Sequence, residues 1–190
     1  MIKAYFFDWA GTLGKIVEDS KISDLLTKEE YYSMMTGEFE RVDFSDDKKR
    51  KIVYFNLINA RHSLFNDTER VINKLRPNYK IAVVSNMYDI TAKQIRSLFS
   101  DFLRRFDVVT LSAEVGTEKP SPDIFIHTLH KLNKFYNSNI FLSEVMMIGD
   151  KQDKDIEPAL NLGMQARLID RNNQNLIDII KNAKKQDKNT

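Results

Sequence analysis

The stretch Lys3-Ala4-Tyr5-Phe6-Phe7-Asp8-Trp9-Ala10-Gly11-Thr12-Leu13 decides how this chain is read. Its first part, Lys3 to Phe7, is nearly all apolar, as a strand buried on both faces must be. Asp8 ends the run and Gly11-Thr12 marks a turn, so a carboxylate stands at the carboxyl end of a buried strand. Four more runs have this character: Lys80 to Val84, Asp107 to Leu111, Glu144 to Ile148 and Gln165 to Ile169. Segments of helical period lie between and after them, at Ile90 to Phe99, Pro122 to Leu132, Ile156 to Leu162 and about Asn173 to Lys185. Alternating strands and helices predict an α/β fold, a Rossmann-like doubly wound parallel sheet.

The alternation stops between Gly14 and about Arg76. No strand-like run is found there, only charge-rich, helix-forming sequence such as Thr27 to Met35 and Ser45 to Phe65. Thr27-Lys28-Glu29-Glu30 is a capping box, and Ser45 or Asp46 can cap the second helix. The sequence therefore predicts a small helical cap over residues 14–66, inserted after the first strand, with residues 1–13 and 67–190 forming the core. A helix from about Asp67 to Leu75 returns the chain to the sheet.

Composition narrows the chemistry. The 190 residues carry 29 Lys plus Arg against 27 Asp plus Glu, a formal charge of +2 that gives no support to nucleic-acid or membrane-surface binding. With no cysteine, a thiol nucleophile, a disulfide and cysteine-held zinc are excluded, so any metal is held by oxygen or histidine. No run approaches the roughly 18 apolar residues of a membrane span, and the N-terminal run lacks a cleavage pattern, so a cytoplasmic location is expected. Oligomeric state leaves no trace in the pattern.

Ligands of parallel α/β sheets bind at the carboxyl ends of the strands, where this chain places Asp8, Ser85 with Asn86, and Gly149-Asp150. Phosphoryl transfer needs a nucleophile, a cation to offset repulsion, and donors for the spreading charge. Asp8, followed by a turn with free N–H groups, offers the first. Asp150 and Asp155 lie on a loop able to converge on it, and three hard carboxylates in one crevice select Mg²⁺. Lys119 supplies fixed positive charge and Ser85 a hydroxyl.

Four spaced segments resemble the motifs of the haloacid dehalogenase-like hydrolase superfamily: Phe7-Asp8-Trp9-Ala10-Gly11-Thr12-Leu13, Val83-Val84-Ser85-Asn86, Lys119-Pro120-Ser121-Pro122, and Ile148-Gly149-Asp150 with Asp155. The resemblance implies Asp8 as a nucleophile forming an aspartyl-phosphate. It also implies Mg²⁺ held by Asp8, the Ala10 backbone carbonyl and Asp150, with Asp155 in support. Gly11, Thr12, Ser85, Asn86 and Lys119 would bind the phosphoryl group of a small phosphorylated substrate.

One position departs. Phosphatases of that family usually carry an aspartate two residues after the nucleophile, which protonates the leaving oxygen, a contribution worth about 10²–10⁴-fold. Here the residue is Ala10. Three readings follow: a phosphohydrolase whose acid comes from elsewhere; a C–P bond hydrolase resembling phosphonoacetaldehyde hydrolase, which shares Asp-Trp-Ala-Gly-Thr and uses a cap lysine, with Lys48, Lys49 and Lys51 available; or a Mg²⁺- and phosphate-binding protein with little turnover. Tyr31, Tyr32, Met34 and Met35 fit a pocket lining or the packing of two cap helices. His62 reads as a helix-surface residue or a cap-supplied acid, Trp9 as a ligand-stacking residue near the metal or a plug beside the first strand. The Lys-rich tail, Lys181 to Lys188, reads as a solvated end.

Overall fold

The computed structural model describes residues 1–17 and 22–187, with side chains as far as Ala183. Five short strands form one parallel sheet: β1 (Ala4–Phe7), β4 (Lys80–Ser85), β5 (Val108–Leu111), β6 (Val145–Gly149) and β7 (Gln165–Leu168). Their order is β5-β4-β1-β6-β7, so β1 lies in the centre, with Phe7 level with Val83 on one side and Ile148 on the other. The five sequence-predicted strands are these five, within one or two residues at each end.

Alternation along β1 sends its side chains into two cores. Tyr5 and Phe7 enter one, closed by α3 (Thr68–Leu75), α4 (Asp89–Leu98), α5 (Ser100–Leu103) and α9 (Leu176–Asp187). Ala4 and Phe6 enter the other, closed by α7 (Pro122–Tyr136) and α8 (Glu157–Asn161). Helices on both faces explain why the strands are apolar throughout. No helix among the described residues is long and apolar enough to cross a membrane.

Between β1 and α3 lie α1 (Lys28–Thr36) and α2 (Asp47–Ile58). The capping box forms: Glu30 donates its N–H to Thr27 Oγ1 at 3.2 Å and Thr27 its N–H to Glu30 Oε2 at 2.7 Å. Asp46 caps α2 through the N–H of Lys49 at 2.7 Å. Met34, Met35, Phe39, Val53 and Leu57 pack into a third core, so the two methionines are packing residues; Tyr31 meets Tyr88 edge to face, and Tyr32 is exposed.

The expected absence of strands in this segment is corrected. Gly14–Val17 (β2) and Arg61–Leu64 (β3) form an antiparallel ribbon at the base of the helices, with Gly14 opposite Leu64 and Val17 opposite Arg61. The second helix, expected as far as Phe65, accordingly ends at Ile58. A four-residue ribbon with one face in water has no apolar run to announce it, and Arg61-His62-Ser63-Leu64 reads as polar helix. The cap region expected over residues 14–66 includes residues 18–21, which lie outside those described, as do the side chains of the Lys-rich tail from residue 184 on.

Candidate active site

Asp8 leaves the central strand at its carboxyl end and is buried. Its Oδ1 accepts from Ser85 Oγ at 2.9 Å and from Lys119 Nζ at 2.6 Å, two residues far away in sequence that the neighbouring β4 and the loop before α7 deliver. Lys119 also donates to Asp155 Oδ1, and the other oxygen of Asp155 accepts the Lys151 N–H at 3.0 Å. A single π-type turn over Gln152–Ile156 aims Asp155 inward, a device that recurs at functional sites. Asp8, Asp150 and Asp155 each bring a carboxylate oxygen within 4.8 Å of the others.

Backbone shape lets these groups meet. A Cβ on Gly11, whose φ is +77°, would stand 2.4 Å from Asp150 Oδ2, and one on Gly149 would stand 2.3 Å from Asp155 Cγ. The turn after Asp8 closes through Gly11 N–H to the Gly14 carbonyl and through the N–H groups of Thr12, Leu13 and Gly14 to the Trp9 carbonyl. The Gly11 and Thr12 N–H groups, expected to be free, are consumed by this turn. Among the described residues those of Trp9 and Ala10 have no partner, nor has the Ala10 carbonyl. Thr12 Oγ1 is buried without a partner as well.

Asn86, expected at the phosphoryl group, gives its side chain to the lysine loop. Its Oδ1 accepts the Lys119 N–H at 2.7 Å, and its amide donates to the Lys119 carbonyl at 2.8 Å and to Glu118 at 3.2 Å. Trp9 is fully buried against Phe99 and Phe102, which makes it the plug of the first core rather than a ligand-stacking ring. His62 lies on β3, not on a helix, and its Nε2 meets Gln94 Oε1 at 3.1 Å.

The electrostatics follow from burial. It pushes the Asp8 carboxyl up to about 7; Lys119 opposes the rise while Asp155 and Asp150 add to it. Burial also opposes the charge on Lys119, but Asp8 and Asp155 outweigh it and hold the ammonium above its usual range. Asp150 is raised chiefly by burial. Three carboxylates converge against the ammonium groups of Lys119 and Lys151, so the ionised cluster keeps an excess of negative charge that a cation would offset. The donor set is all oxygen and cradled by two glycines, so it fits a hard cation such as Mg²⁺.

Beside this cluster opens a cavity of about 690 Å³ walled by Ala10, Asp150, Lys15, Lys151 and Arg171. None of the three lysines considered for Schiff-base chemistry borders it. Lys49 is paired with Glu30 inside the helical segment, whereas Lys48 and Lys51 line a separate groove on α2.

Comparison with known proteins agrees with this geometry. Residues 23–163 match the family model of haloacid dehalogenase-like hydrolases. The chain is 29% identical to a glyceraldehyde 3-phosphate phosphatase of Methanothermobacter thermautotrophicus over 89% of its own length and 86% of that protein's. It is 31% identical to the pyrimidine 5'-nucleotidase YjjG of Escherichia coli, but over 50% of its own length and 39% of that protein's. It spans only about two fifths of two of the curated relatives that it matches, at 42% and 39% of their lengths. A HAD family enzyme of Bacteroides thetaiotaomicron, solved with magnesium and inorganic phosphate, superposes with a TM-score of 0.69 at 16% identity, covering 94% of this chain and 99% of that one. Strand order, the carboxylates at the strand ends and the extent of the family match converge: the chain belongs to the haloacid dehalogenase-like hydrolases.

Proposed function

We propose that the protein is a Mg²⁺-dependent phosphohydrolase acting on a small phosphorylated substrate through an aspartyl-phosphate on Asp8. The observation that carries this reading is the buried Asp8 carboxylate, oriented through Oδ1 by Ser85 and Lys119 beside two further carboxylates. Asp8, the Ala10 carbonyl and Asp150 would hold the cation, and Asp155 would support it through Lys119 and the Lys151 N–H. When bound, the cation supplies charge neutralisation for the phosphoryl group and keeps Asp8 ionised.

The chain's own groups then have distinct tasks. Lys119 and Ser85 fix one oxygen of Asp8, so the other faces the phosphorus without rotating. The unpartnered N–H groups of Trp9 and Ala10 are donors for the phosphoryl oxygens, with Lys119 and Ser85 beside them as the charge spreads. Asn86 positions Lys119 rather than touching the substrate. The helical segment over residues 22–58 and its ribbon act as the cap of this site, closing one side of the cavity through Lys15, Ile16 and Val17. Relatives named glyceraldehyde 3-phosphate phosphatase and pyrimidine 5'-nucleotidase support a small phosphorylated metabolite as the substrate. None of Lys48, Lys49 and Lys51, the lysines weighed for the C–P hydrolase reading, borders this cavity.

The test is steady-state hydrolysis of p-nitrophenyl phosphate and a panel of phosphometabolites with Mg²⁺ and with EDTA. Activity should require the metal, disappear in Asp8→Asn, and be accompanied by hydroxylamine-sensitive phosphate on the protein. Undiminished turnover by Asp8→Asn would sink the proposal.

A further inference from the structure

The position that would carry a proton donor for the leaving oxygen holds the methyl group of Ala10, and the space beside that methyl is lined with cations. Lys15, on β2, has no carboxylate partner among the described residues; its ammonium lies 4.9 Å from the centroid of Phe65. Among the described residues Lys151 is paired with Asp150 alone, at 3.2 Å, a carboxylate that the bound metal would claim. The Arg171 side chain is largely covered, anchored by Asp67 and stacked 4.0 Å over Phe65, with its Nε lacking a partner among the described residues. Asp170, also on the cavity wall, spends its carboxylate on Asn172 N–H at 2.9 Å and on the Asn173 amide. A wall that offers positive charge, its proton donors being ammonium and guanidinium groups far less acidic than a carboxylic acid, suits a departing group that leaves as an anion.

Leaving-group basicity gives that statement chemical content. An alkoxide is about as basic as hydroxide, whose conjugate acid water has a pKa near 15.7, so a sugar or glycerol ester needs a proton as its P–O bond breaks. A carboxylate, with a pKa near 4, or a phosphate, with a second pKa near 6, departs without one. We propose that the preferred substrates are phosphoric anhydrides, an acyl phosphate or a pyrophosphate compound, whose anionic leaving group is received by Lys15 and Lys151 in the cavity beside Ala10. This rests on the phosphohydrolase reading and specifies its substrate class.

The steps balance without an acid. An Asp8 oxygen forms a bond to phosphorus, the bridging P–O bond breaks, and its electron pair stays on the released carboxylate or phosphate. Water then attacks the aspartyl-phosphate. Its oxygen bonds to phosphorus, the Asp8 carboxylate leaves with the electrons of the broken bond, and the water proton passes to the phosphate product. The second step is itself cleavage of an acyl phosphate, so both steps expel a weakly basic anion.

The experiment compares kcat/KM for acetyl phosphate, inorganic pyrophosphate, p-nitrophenyl phosphate and glycerol 3-phosphate at saturating Mg²⁺. One of the first two should exceed glycerol 3-phosphate by about 100-fold or more, and which of them leads tells the acyl from the pyrophosphate source. Ala10→Asp should narrow this gap by raising glycerol 3-phosphate turnover. Lys15→Gln should lower anhydride turnover about tenfold relative to glycerol 3-phosphate, with Lys15→Arg restoring it. Equal rates on alkyl esters and anhydrides in the wild-type protein overturn the inference and leave the phosphohydrolase reading standing. An unchanged substrate ratio in Lys15→Gln overturns the assignment of the lysine. Inactivity of both wild-type and Ala10→Asp proteins on all four compounds overturns the phosphohydrolase reading and the inference with it.

Discussion

Asp8 is held between burial, which favours its neutral form, and Lys119, which favours its charged one. With its carboxyl pushed up to about 7, the folded metal-free chain keeps a proton that the unfolded chain has released above its ordinary value of 3.8. The unfolded state binds fewer protons in that window, so metal-free stability falls as pH rises from about 4 to 7. Melting in EDTA should show the fall, and Mg²⁺ should raise the melting temperature more at about pH 7.5 than at pH 5, because it binds the ionised carboxylates. A melting temperature in EDTA that climbs across this range would contradict the burial argument. Gly149 makes a second prediction at this scale. Its replacement by Ala drives a Cβ into Asp155, which holds Lys119 in place, so Mg²⁺ affinity measured by titration calorimetry should drop about 10–100-fold.

Among the elements, α1 and α2 are joined by the buried Glu30 and the partly exposed Lys49. Burial alone would raise the Glu30 carboxyl, but Lys49 and the N–H groups of Thr27 and Ser45 overcome it and hold it below the usual range. Lys49→Ala leaves the Glu30 carboxylate with only its backbone N–H donors and should cost about 1–3 kcal/mol in urea unfolding. Glu30→Gln combined with Lys49→Met removes both charges and should cost clearly less, which separates a structural role for Lys49 from a chemical one. The same segment shows how far sequence reading reaches. Thr27 and Asp46 announced their helices because capping is local, whereas β2 and β3 exist only by pairing with each other across more than forty residues.

At the scale of the molecule, α1 and α2 do not have a core to themselves. Tyr88 and Ile90, from the start of α4, complete the cluster of Met34, Phe39 and Leu57, so the segment is seated on the element that follows Ser85 and Asn86. Tyr88→Ala should cost about 3 kcal/mol. Hydrogen exchange should then quicken in α1 and α2 while the central sheet stays protected. Equal acceleration in β1 and β4 would mean that cap and sheet open as one unit.

Local composition by itself determined the five strands, the helices that cover them, and the small polar residues at the strand ends, since apolar runs and capping signals act over a few residues. It also determined that any metal site is built from oxygen or histidine, there being no cysteine. Tertiary structure alone decided the rest. The sheet order brings Lys119 to Asp8 across 111 positions, Asn86 is spent on the lysine loop, and Trp9 is turned into the core. The ribbon likewise sets Lys15 on the wall beside Ala10. Such contacts join residues distant in the chain, and which of them form is set by burial and strand register, quantities that no short window of sequence contains.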